Sequence, residues 1–242
     1  MALVDPNCPW LLKSLPSKAS PLLSGWLDKL VGQPIKAIAS ELGSRDFLFL
    51  SVDAITDRAE VIPLAEQLID QVPSLSSVVR ANVDEIFLLK AREEYDVSHS
   101  EPRWPKWIFV SAPSEVSVLS GARLAENVVH EAMHLQLTEL EARTPLVADT
   151  RAKLPSPWKQ EPRHIQGILH GLYVFVCISA FFERLLEDAP LPEDAVDHIN
   201  RRIAVIRQEI AAVPVTHLAQ GLTQAGAQFL KCICLPLRPM HS

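Results

Sequence analysis

Two histidines four residues apart stand in an apolar, helix-forming segment of this 242-residue chain. The segment reads His130-Glu131-Ala132-Met133-His134, an HExxH motif. Side chains at positions i and i+4 of a helix are neighbours on one face, so the two imidazoles can bind one metal ion. Glu131 follows the first histidine and can reach a metal-bound water or support a ligand. The spacing therefore predicts a metal centre on a helix.

The residues around the motif indicate that this helix is buried on several sides. Val128, Val129, Leu135 and Leu137 all lie within three residues of one of the two histidines. Apolar side chains in this number are typical of a core helix. Buried imidazoles without a polar partner would be costly, and a metal ion would supply that partner.

A metal centre of this kind needs a third protein ligand, because catalytic zinc and non-haem iron sites commonly use three. Four downstream candidates remain open at this point: Glu161, His164, His170 and Glu183. His170 is favoured, because it lies in the middle of a long apolar segment between Gly167 and Gly171. Small residues there would let a ligand or another backbone approach. His99, His198 and His217 have no partner pattern and are expected to be surface or packing residues.

Two basic residues are candidates for binding a carboxylate beside the metal. Arg163 lies seven residues before His170, which on a continuous helix is two turns away on the same side. A guanidinium can hold a carboxylate with two hydrogen bonds. Lys159 is the weaker candidate for the same contact.

The hydrophobic pattern predicts a mainly α (α+β) fold in one domain over residues 1–242, with the metal-binding core over about 106–188. Helices are expected over 21–42 (kinked at Pro34), 56–72, 121–143, 164–188, 192–212 and 216–235. Residues 107–111 form the clearest strand, and a small antiparallel β element is expected beside the HExxH helix. The proline-rich stretch 144–162 is expected to be a loop.

Composition excludes some classes of partner and compartment. The net charge of −6 and pI of about 5.8 argue against nucleic acid as the main partner. The apolar run 165–182 is too polar for a membrane span and indicates a core helix. The N-terminus lacks the features of a signal peptide, and four cysteines are too sparse for a disulfide framework, so a cytoplasmic protein is expected. Cys232 and Cys234 near His241 form at best a weak metal-binding pattern.

The region from 125 to 175 resembles a known family. It combines the HExxH motif, a Pro-Trp-basic turn at Pro157-Trp158-Lys159, Arg163, and the stretch from Gly167 to Phe175 that surrounds His170. This combination is similar to the HExxH-type peptide-modification enzymes found beside ribosomally made peptide natural products. Members of that family are iron- and 2-oxoglutarate-dependent peptide β-hydroxylases.

The resemblance implies Fe(II) held by His130, His134 and His170, with 2-oxoglutarate chelating the metal. It implies that Arg163 grips the distal carboxylate of 2-oxoglutarate and that the substrate is a ribosomal precursor peptide. The family usually shows Arg-Pro where this chain has Arg163-His164, and arginine where this chain has Lys159. Oxygenase chemistry would make Glu131 a supporting group that orients a ligand or substrate.

Two other classes of function are compatible with the motif. In a zinc-dependent hydrolase, Glu131 would be the general base that takes a proton from zinc-bound water, and Glu161 or Glu183 would be the alternatives to His170 as the third ligand. A non-enzymatic protein would bind a peptide or partner without metal. Substitution of Glu131 by Gln separates the first two classes, since it should abolish hydrolysis but only weaken an oxygenase.

Overall fold

The computed structural model describes residues 30–31, 36–90 and 96–234 of the chain. The described residues form nine helices: α1 (Lys36–Gly43), α2 (Val52–Thr56), α3 (Val61–Asp70), α4 (Pro73–Asn82), α5 (Val118–Arg143), α6 (Ile165–Asp188), α7 (Glu193–Ala211), α8 (Val215–Gln220) and α9 (Gln224–Cys234). They also form six strands: β1 (Leu30–Val31), β2 (Glu85–Leu89), β3 (Ser98–His99), β4 (Trp107–Ser111), β5 (Lys153–Ser156) and β6 (Lys159–His164). The prediction of a mainly α fold with a small β element is confirmed.

Four of the strands form a mixed sheet in the order β1-β2-β4-β3. β2 runs parallel to β1 and β4, while β3 pairs antiparallel with β4. The side chains of β2 alternate between two apolar clusters, because successive residues of a strand point to opposite faces. Ile86 and Leu88 join the main helical core, whereas Phe87 and Leu89 pack with α1 in a smaller cluster. The central strands are therefore covered on both faces, which explains their continuous apolar sequence.

The HExxH motif lies in the middle of α5, a 26-residue helix. Ser117 caps its start, since the side-chain oxygen accepts a hydrogen bond from the backbone N–H of Ser120 at 3.1 Å. α3, α4, α6 and α7 all pack against α5, and so do strands β3 and β4. The expected burial of this helix is confirmed, and packing from several sides fixes the orientation of the motif.

α6 packs between α5 and α7 and carries His170. It is the one helix of the described part of the chain that is long and apolar enough to cross a membrane by length and composition. Most of its apolar residues, from Ile165 to Leu185, lie in the main core. This packing matches the expectation of a core helix.

Several predicted elements differ from the structure. Residues 30–31 form a strand rather than part of a helix, and residues 21–29 of that predicted helix lie outside the described residues. The stretch 144–162 was predicted as a loop, but it contains β5 and the start of β6, which pair as an antiparallel hairpin. The last predicted helix is divided into α8 and α9. Thr223 interrupts it, because its hydroxyl accepts from the Gly226 N–H at 3.0 Å and starts a new helix.

The cysteines also depart from the expectation. Cys232 is disulfide-bonded, so its sulfur is not available as a metal ligand. Cys177 is a free thiol. His241 lies outside the described residues.

Candidate functional site

A cavity of about 1200 Å³ opens above the HExxH motif. One wall is the chain segment through β3, the floor is formed by α5 and the first turns of α6, and the opposite wall is β6. Its polar and charged lining residues are Ser98, His99, Ser100, Glu101, His130, Glu131, His134, Thr138, Thr150, Lys159, Gln160, Glu161, Arg163, His164, Gln166 and His170. The residues that the sequence favoured for metal binding, cosubstrate binding and catalysis all line this cavity: His130, His134, His170, Arg163, Lys159 and Glu131.

The three histidines expected to bind metal lie together on the floor. His130 Nε2 and His134 Nε2 are 3.2 Å apart. His134 Nδ1 lies 3.3 Å from His170 Nδ1 on the other side of the His134 ring, which stacks on the His170 ring at 5.5 Å between centroids. α5 and α6 thus bring residues 36 positions apart into contact.

Burial keeps two of these imidazoles neutral. It lowers the pKa of His130 to about 4, with further lowering by the positive charges of Arg202 and Lys159. Burial also holds the pKa of His134 well below its usual range, and the neighbouring His130 and His170 act in the same direction. A neutral imidazole has a free nitrogen lone pair, which is the form that binds metal ions.

Glu141 orients His170 and was not found from the sequence. Its Oε2 atom accepts a hydrogen bond from His170 Nε2 at 2.9 Å, and also one from the Gln166 amide at 2.6 Å. This contact places the proton of His170 on Nε2 and leaves its Nδ1 as the acceptor that faces His134. Carboxylates in this position are common behind metal-binding histidines. The signal in the sequence is the spacing, since Glu141 lies seven residues, or two helical turns, after His134.

Replacing Glu141 with Gln is expected to weaken metal binding by about 10- to 100-fold, because the amide fixes the ring of His170 less well. The measurement is competition for Fe(II) or Zn(II) against a chromophoric chelator. Glu139→Gln is the matched control, since Glu139 lies on the same helix, is exposed and pairs only with Arg143 among the described residues. Equal affinities of the two variants would show that Glu141 does not support the site.

Glu131 is buried and holds the wall strand in place. The hydroxyl of Ser98 donates to its Oε1 at 2.5 Å and that of Ser100 to its Oε2 at 2.6 Å. Burial raises the pKa of Glu131 to about 7, although both hydrogen bonds act in the opposite direction. Its Oε1 lies 4.0 Å from His130 Nε2. Glu131 therefore connects the metal-binding helix to β3.

Lys159 and Arg163 lie on β6, the exposed strand of the β5–β6 hairpin, and project from the wall opposite β3. The prediction that Arg163 shares a helix with His170 is wrong, because α6 begins only at Ile165. The hairpin nevertheless returns Arg163 to the first turn of α6. A Cβ atom placed on Gly167 would lie 3.3 Å from Arg163 Nε, so the guanidinium rests on that glycine.

Trp158 anchors the turn of this hairpin against the floor of the site. Its ring stacks on Phe175 at 5.3 Å between centroids, and Phe175 in turn lies 5.4 Å from the His130 ring. A Cβ atom at Gly171 would be 2.5 Å from Trp158 Cζ3, so only glycine leaves room for the indole. The Pro-Trp-basic turn noted in the sequence therefore has a packing function, and Gly171 follows His170 for the same reason.

The alternative third ligands divide into two groups. Glu161 and His164 line the cavity and remain candidates. Glu183 lies 13 residues beyond His170, about 20 Å along the helix. Its carboxylate accepts from the Ser179 hydroxyl at 3.0 Å and from Arg207 at 3.1 Å, on the side of α6 that faces α7. The hypothesis that Glu183 binds the same metal is therefore wrong.

His99, which was expected to be a surface or packing residue, lines the wall of the cavity. Its Nε2 atom is 3.0 Å from Glu101 Oε1. Arg45 and Arg103 also hydrogen-bond to the Glu101 carboxylate. Burial disfavours the charged carboxylate, but hydrogen bonds from these three neighbours, that of Arg103 first, outweigh it and lower the pKa of Glu101 to about 2. The cluster ties the wall to α1, since Glu41 of α1 pairs with both arginines.

This cluster predicts a specific loss of stability in acid. A depressed pKa contributes stability above the ordinary value of 4.5, and that contribution disappears as pH falls from 4.5 towards 2. Glu101→Gln should therefore flatten the pH dependence of the free energy of unfolding in this window. Denaturant unfolding at several pH values measures this dependence, and Glu115→Gln, at an exposed position, is the control. An unchanged pH profile in Glu101→Gln would contradict the assignment.

The residues present suit a metal ion in type and partly in arrangement. Two nitrogens that bind one ion at about 2.1 Å, with an angle of roughly 100° between them, lie about 3.2 Å apart. The Nε2 atoms of His130 and His134 have this separation. In the described part of the chain, however, no three His, Cys, Asp or Glu side chains form a group that could hold a metal ion as they stand. His170 contacts His134 Nδ1, whereas His130 faces His134 Nε2. A site with all three histidines on one ion therefore requires the His170 ring to turn.

Comparison with known proteins adds no assignment. No protein-family model matches the chain, and no curated protein matches it. The case for a function therefore rests on the site itself.

Proposed function

We propose that this protein is a peptide-modifying oxygenase that hydroxylates a side-chain β-carbon of a ribosomally made peptide, using Fe(II), 2-oxoglutarate and O2. The observation that carries the proposal is the cluster of three imidazoles, His130, His134 and His170, on the floor of a large cavity with basic residues on its wall. Three imidazole donors that leave positions open for other ligands are compatible with non-haem iron. This is also the ligand set implied by the family resemblance.

His130, His134 and His170 would hold the iron, which supplies the oxidising chemistry when bound together with 2-oxoglutarate and oxygen. Glu141 keeps His170 in one tautomer through the Nε2 hydrogen bond. Phe175 and Trp158 cover one side of the cluster. The residues of the chain would therefore bind the metal, orient its ligands and cover the site, while the reactive species would belong to the cofactor.

The basic wall suits the carboxylates of 2-oxoglutarate. Arg163 rests on Gly167, and Gln166 and Gly167 in the first turn of α6 line the cavity beside it. The N-terminus of a helix carries a partial positive charge and favours an anion, and a guanidinium can add two hydrogen bonds. Lys159, on the same strand, adds a second positive charge. A dicarboxylate between the histidines and Arg163 would meet positive groups at its distal end.

The surroundings of Glu131 favour an oxygenase over a zinc hydrolase. A general base for a metal-bound water needs an oxygen lone pair directed at that water. Each Glu131 oxygen already accepts a hydrogen bond from a serine hydroxyl of the wall, which leaves at most one lone pair on each for such a water. Glu131 is therefore assigned as a positioning residue that fixes β3. Its pKa of about 7 is the one feature that suits the hydrolase, which remains the second candidate.

Glu131→Gln separates the two candidates, because the amide preserves shape but cannot act as a base. An oxygenase should keep measurable turnover, with iron-dependent succinate formation reduced by about tenfold or less. A hydrolase should lose zinc-dependent cleavage of a peptide mixture by about 100-fold or more. Ser98→Ala is the companion variant: it removes one contact to Glu131 and should have a smaller effect of the same kind. Cleavage that disappears in Glu131→Gln would overturn the oxygenase proposal.

A further inference from the structure

β3 forms an edge of the four-stranded sheet, beside the histidine cluster. The oxygen of Val97 accepts a hydrogen bond from the Ser111 N–H of β4 at 2.8 Å. In an antiparallel pair, residues bonded to the partner alternate with residues whose N–H and C=O point away from it. The register of β3 on β4 therefore directs Val97 and His99 towards β4. The backbone groups of Ser98 and Ser100 point outward.

These outward groups have no backbone partner within the ranges that the structure describes, where no strand lies beyond β3. The strand is nevertheless held firmly, since the Ser98 and Ser100 side chains bond to the buried Glu131. An unpaired edge with alternating donors and acceptors is a template for another extended backbone. Here the edge is fixed to the same helix that carries the histidines.

The cavity beside this edge has room for a chain. Its volume of about 1200 Å³ exceeds the roughly 300–1000 Å³ typical of sites for small molecules. Ser98 and Ser100 line it on one side and the exposed strand β6 on the other. A backbone laid along β3 would pass over the histidine cluster with alternate side chains directed towards it.

The charge of the wall formed by β6 determines which extended peptides the cavity favours. Lys159, Glu161 and Arg163 line the cavity from alternate positions of β6, so this wall carries one net positive charge, and neither basic residue takes part in an ion pair with another described residue. Lys159 is close enough for its charge to lower the pKa of His130. On the near wall, the carboxylate of Glu101 is neutralised by Arg45 and Arg103. The cavity therefore favours an acidic side chain on whatever lies along β3.

We infer that the substrate segment binds as an added strand on the outer edge of β3, as an extended peptide that carries at least one acidic residue. The inference rests on the proposed function in taking a peptide as the substrate. Backbone N–H and C=O groups of the peptide pair with Ser98 and Ser100, and its acidic side chain faces Lys159. Affinity then comes mainly from backbone hydrogen bonds, and the wall charge selects the sequence.

The test uses the full chain without metal and a randomised decapeptide pool as the probe, with selection by display and binding measured by fluorescence anisotropy. Peptides rich in Asp or Glu should be enriched. N-methylation of alternate residues of an enriched peptide should weaken binding by about tenfold or more, because each methyl group removes a donor and blocks the edge. N-methylation of the intervening residues should have little effect. No enrichment, enrichment of peptides without acidic residues, or indifference to N-methylation overturns the inference.

A pair of protein variants tests the same contact from the other side. Ser100→Pro and Ser100→Ala both lose the hydroxyl bond to Glu131, but only proline loses the outward N–H. Ser100→Pro should bind the enriched peptide about tenfold more weakly than Ser100→Ala, and equal binding overturns the inference. Circular dichroism checks folding; if the proline variant does not fold, the N-methylation series on the natural chain decides.

Failure of this inference is distinguishable from failure of the proposed function. Peptide capture sensitive to N-methylation, in a protein that gives no iron-dependent succinate, supports edge binding and contradicts the oxygenase. Iron-dependent hydroxylation of a peptide whose binding ignores N-methylation supports the oxygenase and overturns edge binding.

Discussion

His134→Ala is expected to lower the affinity for Fe(II) by at least about 100-fold and to abolish turnover. His134 is the central member of the cluster, since its two ring nitrogens lie 3.2 Å from His130 Nε2 and 3.3 Å from His170 Nδ1. Loss of a supporting residue behind a metal ligand already costs about 10- to 100-fold in affinity, and loss of a ligand should exceed that range. Anaerobic titration against a chromophoric chelator measures the affinity.

His217→Ala is the matched control, because His217 lies on α8, is exposed and does not line the cavity. His130→Ala and His170→Ala should resemble His134→Ala if all three bind the ion. If the Fe(II) affinity of His134→Ala is within threefold of that of His217→Ala, His134 does not bind the metal ion.

Gly171→Ala is expected to destabilise the fold and displace the β5–β6 hairpin. The added methyl group would lie 2.5 Å from Trp158 Cζ3 and 2.7 Å from Cε3, so the indole must move. Overpacking of this kind costs about 1–3 kcal/mol, against a gain of about 0.5–1 kcal/mol for replacing glycine within a helix. The free energy of unfolding should fall, and the KM for 2-oxoglutarate should rise because Arg163 moves with the hairpin. Denaturant unfolding and steady-state kinetics measure the two effects.

Gly167→Ala provides the comparison for stability, one helical turn earlier in α6. There the nearest atoms belong to the far end of the Arg163 side chain, at 3.3 Å, and a long side chain can shift at little cost. This variant should be as stable as the natural chain or more stable. If Gly171→Ala is equally stable, Trp158 does not occupy the position described.

The local patterns that predict helices predicted the centre of the site well. The HExxH motif lies on α5, as expected. His170 was predicted to join it mainly because it lies in an apolar helical segment, which is α6. Helix periodicity and capping are local, so they can be read from neighbouring residues. His170 was favoured among four downstream candidates because it lies in an apolar segment between two glycines, whereas its contact with His134 depends on the packing of α5 against α6.

The walls of the site could not be predicted in the same way. Ser98 and Ser100 reach Glu131 only because β3 pairs with β4 and the sheet packs against α5, a relation between distant segments. The β5–β6 hairpin was mistaken for a loop because its prolines obscured the strand pattern. Glu141 is the residue that the sequence offered and that was overlooked, since its i+7 spacing from His134 places it on the same face.

The most direct test of the oxygenase proposal is anaerobic titration of the metal-free protein with Fe(II) and 2-oxoglutarate, followed by exposure to O2. We expect a visible charge-transfer band that requires both components, followed by succinate formation, with both absent in His170→Ala and with Zn(II) in place of iron. No band and no succinate, together with zinc-dependent peptide cleavage that is lost in Glu131→Gln, would contradict the oxygenase proposal and assign the site to a hydrolase.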